Sequence, residues 1–163
     1  MVAQWVEGFI LIGLMLKFPG IDKIFSAFQS RQWMWWRPKS WNSMSRSEKG
    51  ARGEALARAY CSKKLGYRCL VRNWRSGRGE IDLICLDGTA LVFVEVRLRP
   101  VGARISGVHS IDAEKKAVLR RTARAYLQGL KRQPKTYRFD VVSIAFSGSN
   151  QYKISHYRNV ALF

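Results

Sequence analysis

The chain has 163 residues, of which 47% are hydrophobic and 25% charged, a balance that suits one ordinary globular domain and excludes disorder throughout. Its 29 Lys and Arg outnumber its 11 Asp and Glu, giving a formal net charge of +18. Solubility needs far less charge than this. A polyanion is therefore the expected partner, with nucleic acid first and an anionic membrane surface second.

Cysteine and histidine usage restricts the chemistry that is open to the chain. Three cysteines without any C-x-x-C pair indicate reduced thiols, and hence a cytoplasmic protein rather than a disulfide framework or a zinc site. The two histidines, His109 and His156, lie far apart in the sequence, which disfavours metal or nucleophile sites built on histidine. Any metal bound here would take carboxylate ligands, which favours Mg²⁺ or Mn²⁺.

The first 43 residues differ from the rest, with five of the six Trp but only seven of the forty charged side chains. Their apolar run at 8–16 has nine residues, less than half of the roughly 20 that a membrane-spanning helix needs. No basic region precedes this run, so a secretory signal is not predicted. The segment could be an interfacial or partner-binding helix, a mobile arm, or upstream sequence outside the natural product. We predict that residues 1–43 are dispensable and that residues 44–163 form the functional domain.

The first half of this domain reads as a helix followed by three strands. Ser47 is predicted to cap a helix that runs to Leu65 and is stopped by Gly66. Strands are predicted at 68–74, 80–86 and 90–98, with tight turns at 76–79 and at 87–88. The helical residues predicted to face the core are Ala51, Ala55, Leu56, Ala59 and Tyr60.

A second helix at 111–130 and two strands at 137–146 and 152–158 complete the pattern. The order is α-β-β-β-α-β-β. A three-stranded meander, a crossover helix and a returning strand predict an α/β fold with a mixed central sheet flanked by helices.

The second and third strands carry carboxylates in an otherwise apolar hairpin. If residues 87 and 88 are the central turn residues, Asp82 lies opposite Phe93. Glu95 is then the diagonal neighbour of Asp82 on the same face, which Arg97 shares. A four-residue turn would place Asp82 directly opposite Glu95, whereas a three-residue turn would break the shared face.

Two neighbouring carboxylates repel each other and are costly to desolvate. A divalent cation between Asp82 and Glu95 would relieve this repulsion, activate water and hold a phosphoryl oxygen. The alternative is a set of ion pairs with Arg97 and another arginine, with no metal.

Five blocks in order carry a resemblance to a known family: GARGEALA, NWR, GEIDLI, LVFVEVRLR and YRFDVV. Together they resemble the YraN family of bacterial proteins, over residues 48 to 146 and arguably to the end of the chain. That family is similar to the restriction-endonuclease-like nucleases, and closest among them to archaeal Holliday-junction resolvases. The resemblance implies a restriction-endonuclease-like core and leaves residues 1–43 outside.

The resemblance also implies a nuclease pattern of a carboxylate, then Asp, then Glu-x-Lys. Glu54 would be the accessory carboxylate, Asp82 the metal-bridging one and Glu95 the acid of the last motif, with the Val96 carbonyl as a further metal ligand. The Lys position holds Arg97, which cannot readily act as a base but can clamp phosphate or stabilise developing charge.

An ammonium group could come instead from Lys115 or Lys116, at the start of the second helix. The resemblance favours a Mg²⁺- or Mn²⁺-dependent endonuclease acting on branched or structured DNA. The alternative is a nucleic-acid-binding module that has lost cleavage through Arg97. RNA stays open as a ligand, and a membrane is the least expected partner. Resolvases of similar fold are dimers, because a four-way junction has two equivalent cutting positions, so a homodimer is also an expectation.

Basic side chains supply the predicted nucleic-acid contacts. Contacts with phosphate give affinity without reading sequence. Three of these side chains recur every four residues along one side of the second helix. Asp140 is left out of the site as a structural ion-pair partner. Arg104 lies in the loop after the third predicted strand. The basic residues assigned to binding are Arg72, Arg75, Arg78, Arg99, Lys115, Lys116, Arg120, Arg121 and Arg124.

Overall fold

The computed structural model describes residues 39–103, 111–148 and 150–162. These residues form two α-helices and five β-strands in the predicted order, which confirms the α/β class. A short 3₁₀ turn, Trp41–Ser43, precedes them. The elements are α1 (Arg46–Lys63), β1 (Arg68–Ser76), β2 (Gly79–Asp87), β3 (Ala90–Pro100), α2 (Ala113–Gln128), β4 (Thr136–Phe146) and β5 (Tyr152–Tyr157).

The five strands form one mixed sheet in the order β1-β2-β3-β4-β5. Strands β1, β2 and β3 make an antiparallel meander, β4 runs parallel to β3, and β5 is antiparallel to β4. A parallel pair cannot be joined by a tight turn, so α2 provides the crossover between β3 and β4.

Apolar side chains are buried on both faces of the sheet because successive strand residues point to opposite sides. One cluster lies between the sheet and α1, and the other between the sheet and α2. The α1 cluster includes Ala57, Cys61, Leu83, Val94 and Val142, and the α2 cluster includes Phe93, Leu119, Ala123 and Val141.

Helix α1 begins two residues earlier than predicted, because Ser45 and not Ser47 is its N-cap. The Ser45 hydroxyl accepts the Glu48 N–H at 3.2 Å, and the Glu48 carboxylate accepts the Ser45 N–H at 2.8 Å. This reciprocal capping box satisfies two backbone donors that a cap at Ser47 would leave open. Helix α1 ends at Lys63, two residues before the predicted end at Leu65. Gly66, the predicted stop, has a φ of +71°, the left-handed conformation that is typical of a glycine after a helix.

The buried face of α1 also differs from the prediction. Gly53, Ala57 and Cys61 are buried, whereas the predicted core residues Ala51, Ala55 and Ala59 are exposed. Small residues at this spacing let the helix approach the sheet closely. A Cβ on Gly53 would lie only 3.3 Å from Leu98 Cδ1. The predicted core residues Leu56 and Tyr60 are partly buried.

The compact unit of the chain begins at Lys39, five residues before the predicted boundary. Trp41 is fully buried there, with its ring stacked on Phe146 at 4.9 Å and the Arg52 guanidinium 4.3 Å from its ring centre. Residues 1–38, which make up most of the predicted extension, lie outside the described residues. Within the described ranges, no helix is long and apolar enough to cross a membrane.

Candidate functional site

The β2–β3 hairpin turns one residue later than predicted. Its central residues are Gly88 and Thr89, because Asp87 still pairs with Ala90. Gly88 has a φ of +58°, which the first central position of a tight hairpin turn requires, so the predicted turn centre at 87–88 is wrong.

Asp87 stays in the strand ladder, where its carboxylate contacts Arg138 at 2.8 Å and Arg158 at 2.9 Å. The register continues to Leu83 opposite Val94. One further step along both strands sets Asp82 opposite Glu95, the arrangement expected for the four-residue turn. The shared face therefore survives the shift in register.

Asp82 is a half-buried acid held against the neighbouring strand. Its Oδ2 accepts the Val96 N–H at 2.6 Å. Burial raises the pKa of Asp82, the Glu95 charge raises it further, and the Val96 hydrogen bond and Lys115 only partly oppose them, so that the pKa lies at about 7. The described residues provide Asp82 with no ion-pair partner.

Glu95 is buried more deeply than Asp82, with 6% of its side chain exposed. Its Oε1 lies 3.1 Å from Lys115 Nζ and 3.7 Å from Arg97 Nη1. Its Oε2 is buried and accepts no hydrogen bond from any described residue. Burial raises the pKa of Glu95 in spite of the two cations. Glu95 thus has the ion pair with Arg97 that the ion-pair alternative predicts, with Lys115 in place of a second arginine, whereas Asp82 has no ion pair among the described residues.

Lys115 reaches the site from the first turn of α2. Asp112 caps this helix by accepting the Lys115 N–H at 2.7 Å. The cap fixes where α2 begins, and the Lys115 side chain then extends to Glu95 on β3. Of the two lysines considered for this role, the structure brings Lys115 and not Lys116 to the carboxylates.

Glu54 lies on α1 beside a groove of about 650 Å³ between that helix and β1. Its Oε2 accepts a hydrogen bond from Asn73 Nδ2 at 2.9 Å. Asn73 has a φ of +49°, which marks a local irregularity in β1. The Glu54 charge makes a small contribution to the raised pKa of Asp82. The charge of Glu54 therefore acts on Asp82, but the Glu54 carboxylate is hydrogen-bonded to β1 and not to either carboxylate of the pair.

Asp82 and Glu95 are hard oxygen donors, which suits Mg²⁺ or Mn²⁺. Mg²⁺ is commonly held by one or two carboxylates, with water and substrate phosphate completing its shell. The hydrogen-bond-free Oε2 of Glu95 is a lone-pair site that such a cation would use. No cluster of three or more metal-ligating side chains exists in the described residues, so protein ligation would rest on two carboxylates and the Val96 carbonyl.

The model of the uncharacterised protein family UPF0102 matches residues 53–144. The chain belongs to this family. The match confirms the resemblance to the YraN proteins, and the matched span includes the carboxylate pair and Lys115. It also shows which part of the chain the family shares.

Several UPF0102 proteins are similar to this chain over most of their own length. One from Lawsonia intracellularis is 38% identical over 120 residues, which are 74% of this chain and 89% of the relative. One from Carboxydothermus hydrogenoformans is 35% identical over 120 residues and is covered completely. One from Chlorobium limicola is 41% identical over 95 residues, which are 58% of this chain and 73% of the relative.

The basic side chains of this UPF0102 protein occupy different environments. Arg75 pairs with Glu80 at 3.1 Å, which reduces its availability for phosphate. Arg120 Nη1 donates to the Leu162 carbonyl at 2.7 Å and so holds the C-terminal tail. Arg104 lies outside the described residues. Arg72, Arg78, Arg121 and Arg124 are exposed, and Arg99 and Lys116 are half-buried.

Asp140 is the centre of a buried polar network whose extent the sequence does not show. It is 1% exposed, and its ion pair with Arg138 at 3.0 Å confirms the predicted structural role. Its carboxylate also contacts His156 Nε2 at 2.9 Å and accepts the Tyr67 hydroxyl at 3.0 Å and the Asn159 N–H at 2.9 Å. Burial raises its pKa, but these hydrogen bonds and Arg138 outweigh burial and lower the pKa to about 2.

Proposed function

We propose that this UPF0102 protein binds nucleic acid and hydrolyses phosphodiester bonds in branched or structured DNA with Mg²⁺ or Mn²⁺. The observation that carries the proposal is the carboxylate pair of half-buried Asp82 and buried Glu95, with Lys115 beside it. A sheet of this composition could fill these positions with apolar residues. Two neighbouring acids with raised pKa values, one of them raised further by the charge of the other, are costly unless they hold a ligand.

Asp82, Glu95 and the Val96 carbonyl are the residues that would hold the metal. When bound, the metal supplies Lewis-acid stabilisation of a phosphoryl oxygen and lowers the pKa of a coordinated water. The chain's own contribution is to keep both carboxylates in place, because the Val96 N–H holds Asp82 and Lys115 holds one oxygen of Glu95.

Lys115 supports the cleaving form of the proposal. In the Glu-x-Lys pattern implied by the resemblance, an ammonium group accompanies the acid, whereas this chain has Arg97 at that position. Lys115 supplies the missing ammonium from α2, at 3.1 Å from Glu95. It can orient an attacking water or stabilise charge in the transition state, while Arg97 clamps a phosphate oxygen.

A non-cleaving nucleic-acid-binding module is the second candidate. The observation that favours it is the contact of Glu95 with both Lys115 and Arg97, because two cations already balance part of the charge that a metal would neutralise. The net charge of +18 favours nucleic acid as the partner under either candidate. A cytoplasmic location and a homodimer stay predictions.

Cleavage and binding are tested together with the full chain. Labelled four-way junction, duplex and single strand are incubated with Mg²⁺, Mn²⁺ or EDTA, and the cut products and bound fractions are measured. We expect metal-dependent cutting that Asp82→Asn and Lys115→Met each abolish while binding persists. The matched control is Glu80→Gln, an acid on the same strand that pairs with Arg75.

The outcomes separate the two candidates. Binding without cutting in both metals establishes the non-cleaving module. A complete absence of binding, or an affinity that stays flat between roughly 50 and 200 mM salt, overturns both, since several phosphate contacts should reduce affinity about 10³-fold over that range.

A further inference from the structure

A second basic feature lies at the other end of α2. A cavity of about 360 Å³ opens between this helix, the start of β4 and the C-terminal tail. Small-molecule sites in proteins typically have volumes of about 300–1,000 Å³. Among the described residues, no acid lines the cavity. Its lining includes Arg120, Arg124, Leu127, Tyr137, Phe139 and Val160.

Tyr137 and Phe139 form the aromatic wall of the cavity. Tyr137 is 54% exposed, an unusual state for a large ring on a central strand. Its ring is nevertheless held by edge-on contacts with Phe93 at 6.1 Å and Phe139 at 6.4 Å. An exposed ring that its neighbours hold in place can stack on a flat ligand with little loss of conformational entropy.

Arg120 and Arg124 form the cationic wall, one helical turn apart. Arg120 is engaged with the Leu162 carbonyl and so fixes the tail that closes the cavity. Arg124 is exposed and makes no hydrogen bond or ion pair with any described residue. Its guanidinium can therefore bind an anion without breaking an existing contact.

We propose that this cavity binds a single nucleotide, with the base stacked on Tyr137 and the phosphate held by Arg124. Base–aromatic stacking combined with arginine is the usual means of holding unpaired nucleotides. A base inside a duplex offers no free face, so the occupant in a nucleic acid is an unpaired nucleotide at a strand end or junction. We assign the cavity an unpaired nucleotide of a nucleic acid strand rather than a free mononucleotide, and this choice rests on the proposed function.

The test uses the full chain in EDTA, so that no strand is cut. The ligands are a blunt duplex, the same duplex with a short single-stranded tail carrying 2-aminopurine, the 2-aminopurine mononucleotide, and inorganic phosphate as a competitor. We expect the tail to increase affinity about 5-fold or more over the blunt duplex and stacking to quench its fluorescence. Tyr137→Ala and Arg124→Gln should each remove this gain, whereas Tyr137→Phe should keep it.

Tyr152→Ala and Arg68→Gln are the matched controls, because both side chains are exposed and lie outside the cavity, and neither residue is assigned to nucleic-acid binding. Equal affinity for tailed and blunt duplex, or a tail effect that Tyr137→Ala leaves intact, overturns the cavity proposal while nucleic-acid binding stands. Saturable mononucleotide binding that depends on Tyr137, without duplex binding, supports the cavity and assigns it a free nucleotide. Competition by phosphate alone, with no effect at Tyr137, overturns the nucleotide assignment.

Discussion

Asp82 is half-buried and Asp140 is fully buried, and their surroundings shift their pKa values in opposite directions. Asp82 has one hydrogen-bond donor and a second carboxylate beside it, and its pKa is raised to about 7. Asp140 has Arg138, His156 and two further donors, and its pKa is lowered to about 2. Burial alone does not set the direction of such a shift; the number of hydrogen-bond donors and of like charges around each carboxylate does.

Metal binding by the carboxylate pair is predicted to stabilise the fold. Mg²⁺ or Mn²⁺ at about 100 times its dissociation constant should add about 2.7 kcal/mol by mass action. Asp82→Asn should abolish this increment and raise the melting temperature without metal, because it removes one of two like charges and keeps an acceptor for the Val96 N–H. Glu95→Gln should also abolish it but lower the metal-free value, since Lys115 and Arg97 lose their counter-charge. Thermal melts that show no metal response in the natural protein would contradict a ligand role for the pair.

Asp140 is predicted to make the protein sensitive to acid. Its pKa in the folded state lies below the ordinary value of 3.8, so its contribution to stability is fully present above about pH 4 and is lost as the pH falls toward 2. Asp140→Asn should lower the free energy of unfolding by about 2 kcal/mol or more at neutral pH. Chemical denaturation at a series of pH values should show that the free energy of unfolding of this variant falls less steeply between about pH 4 and 2 than that of the natural protein. An equally steep fall in the variant would assign the pH dependence to other groups.

At the scale of elements, Gly79 determines how closely α2 packs on the sheet. This glycine begins β2, and a Cβ there would overlap Thr122 Oγ1 and lie 3.2 Å from Val118 Cγ1. Thr122 itself is buried and donates its hydroxyl to the Val118 carbonyl at 2.8 Å. The helix therefore packs directly against backbone at this point, which helps to hold its first turn, with Lys115, over β3.

Gly79→Ala is predicted to destabilise the protein by about 1–3 kcal/mol through overpacking against α2. Adding Thr122→Ala should recover part of this loss, because it removes the overlapping hydroxyl. The control is Gly50→Ala in the first half of α1, where no atom beyond the chain neighbours and the helix's own backbone lies within 4 Å of the added Cβ. Helix propensity should give this variant a gain of up to about 1 kcal/mol. A double-mutant cycle in urea measures the coupling, and additive effects at 79 and 122 would contradict the packing account.

The sequence predicts local features of these elements better than the contacts between them. The shared face of Asp82 and Glu95 follows from the two-residue period of strands, so it survives a turn that is shifted by one residue. The ladder position of Asp87 depends on Arg138 and Arg158, which lie far away in the sequence. The choice of Lys115 over Lys116 likewise depends on how α2 lies across the sheet, which helical periodicity does not specify.

The buried face of α1 differs from the predicted core face for a related reason. Counting apolar side chains selects the alanines and passes over Gly53, whose lack of a side chain is what allows contact with Leu98. The Asp140 network joins Tyr67, which immediately precedes β1, with β4 and the segment after β5, so only the assembled sheet reveals it. In both cases the decisive contacts are tertiary.

At the scale of the whole molecule, the compact unit begins at Lys39, so residues 39–43 no longer belong to the segment that we predict to be dispensable. Deleting residues 1–38 should leave the melting temperature nearly unchanged. Deleting residues 1–43 should cost about 3–5 kcal/mol, because Trp41 is fully buried on Phe146 and under Arg52. Trp41→Ala in the full chain is the matched control, and it should lose as much stability as the longer deletion. Equal melting temperatures for the two deletions would contradict a core role for Trp41.

Helix α2 carries Lys115 near one end and Arg124 nine residues later, and this spacing has a geometric consequence. At a rise of 1.5 Å per residue the two positions are about 14 Å apart along the helix axis. Stacked nucleotides advance about 3.4 Å each along a strand, so the helix spans about four of them. Nine residues at 3.6 per turn also rotate the two side chains to opposite sides of α2, so a strand held at Arg124 would pass around the helix to reach Lys115. If both proposals hold, any cut should fall more than four nucleotides from the unpaired end, and moving that end along the substrate should move the cut by the same number.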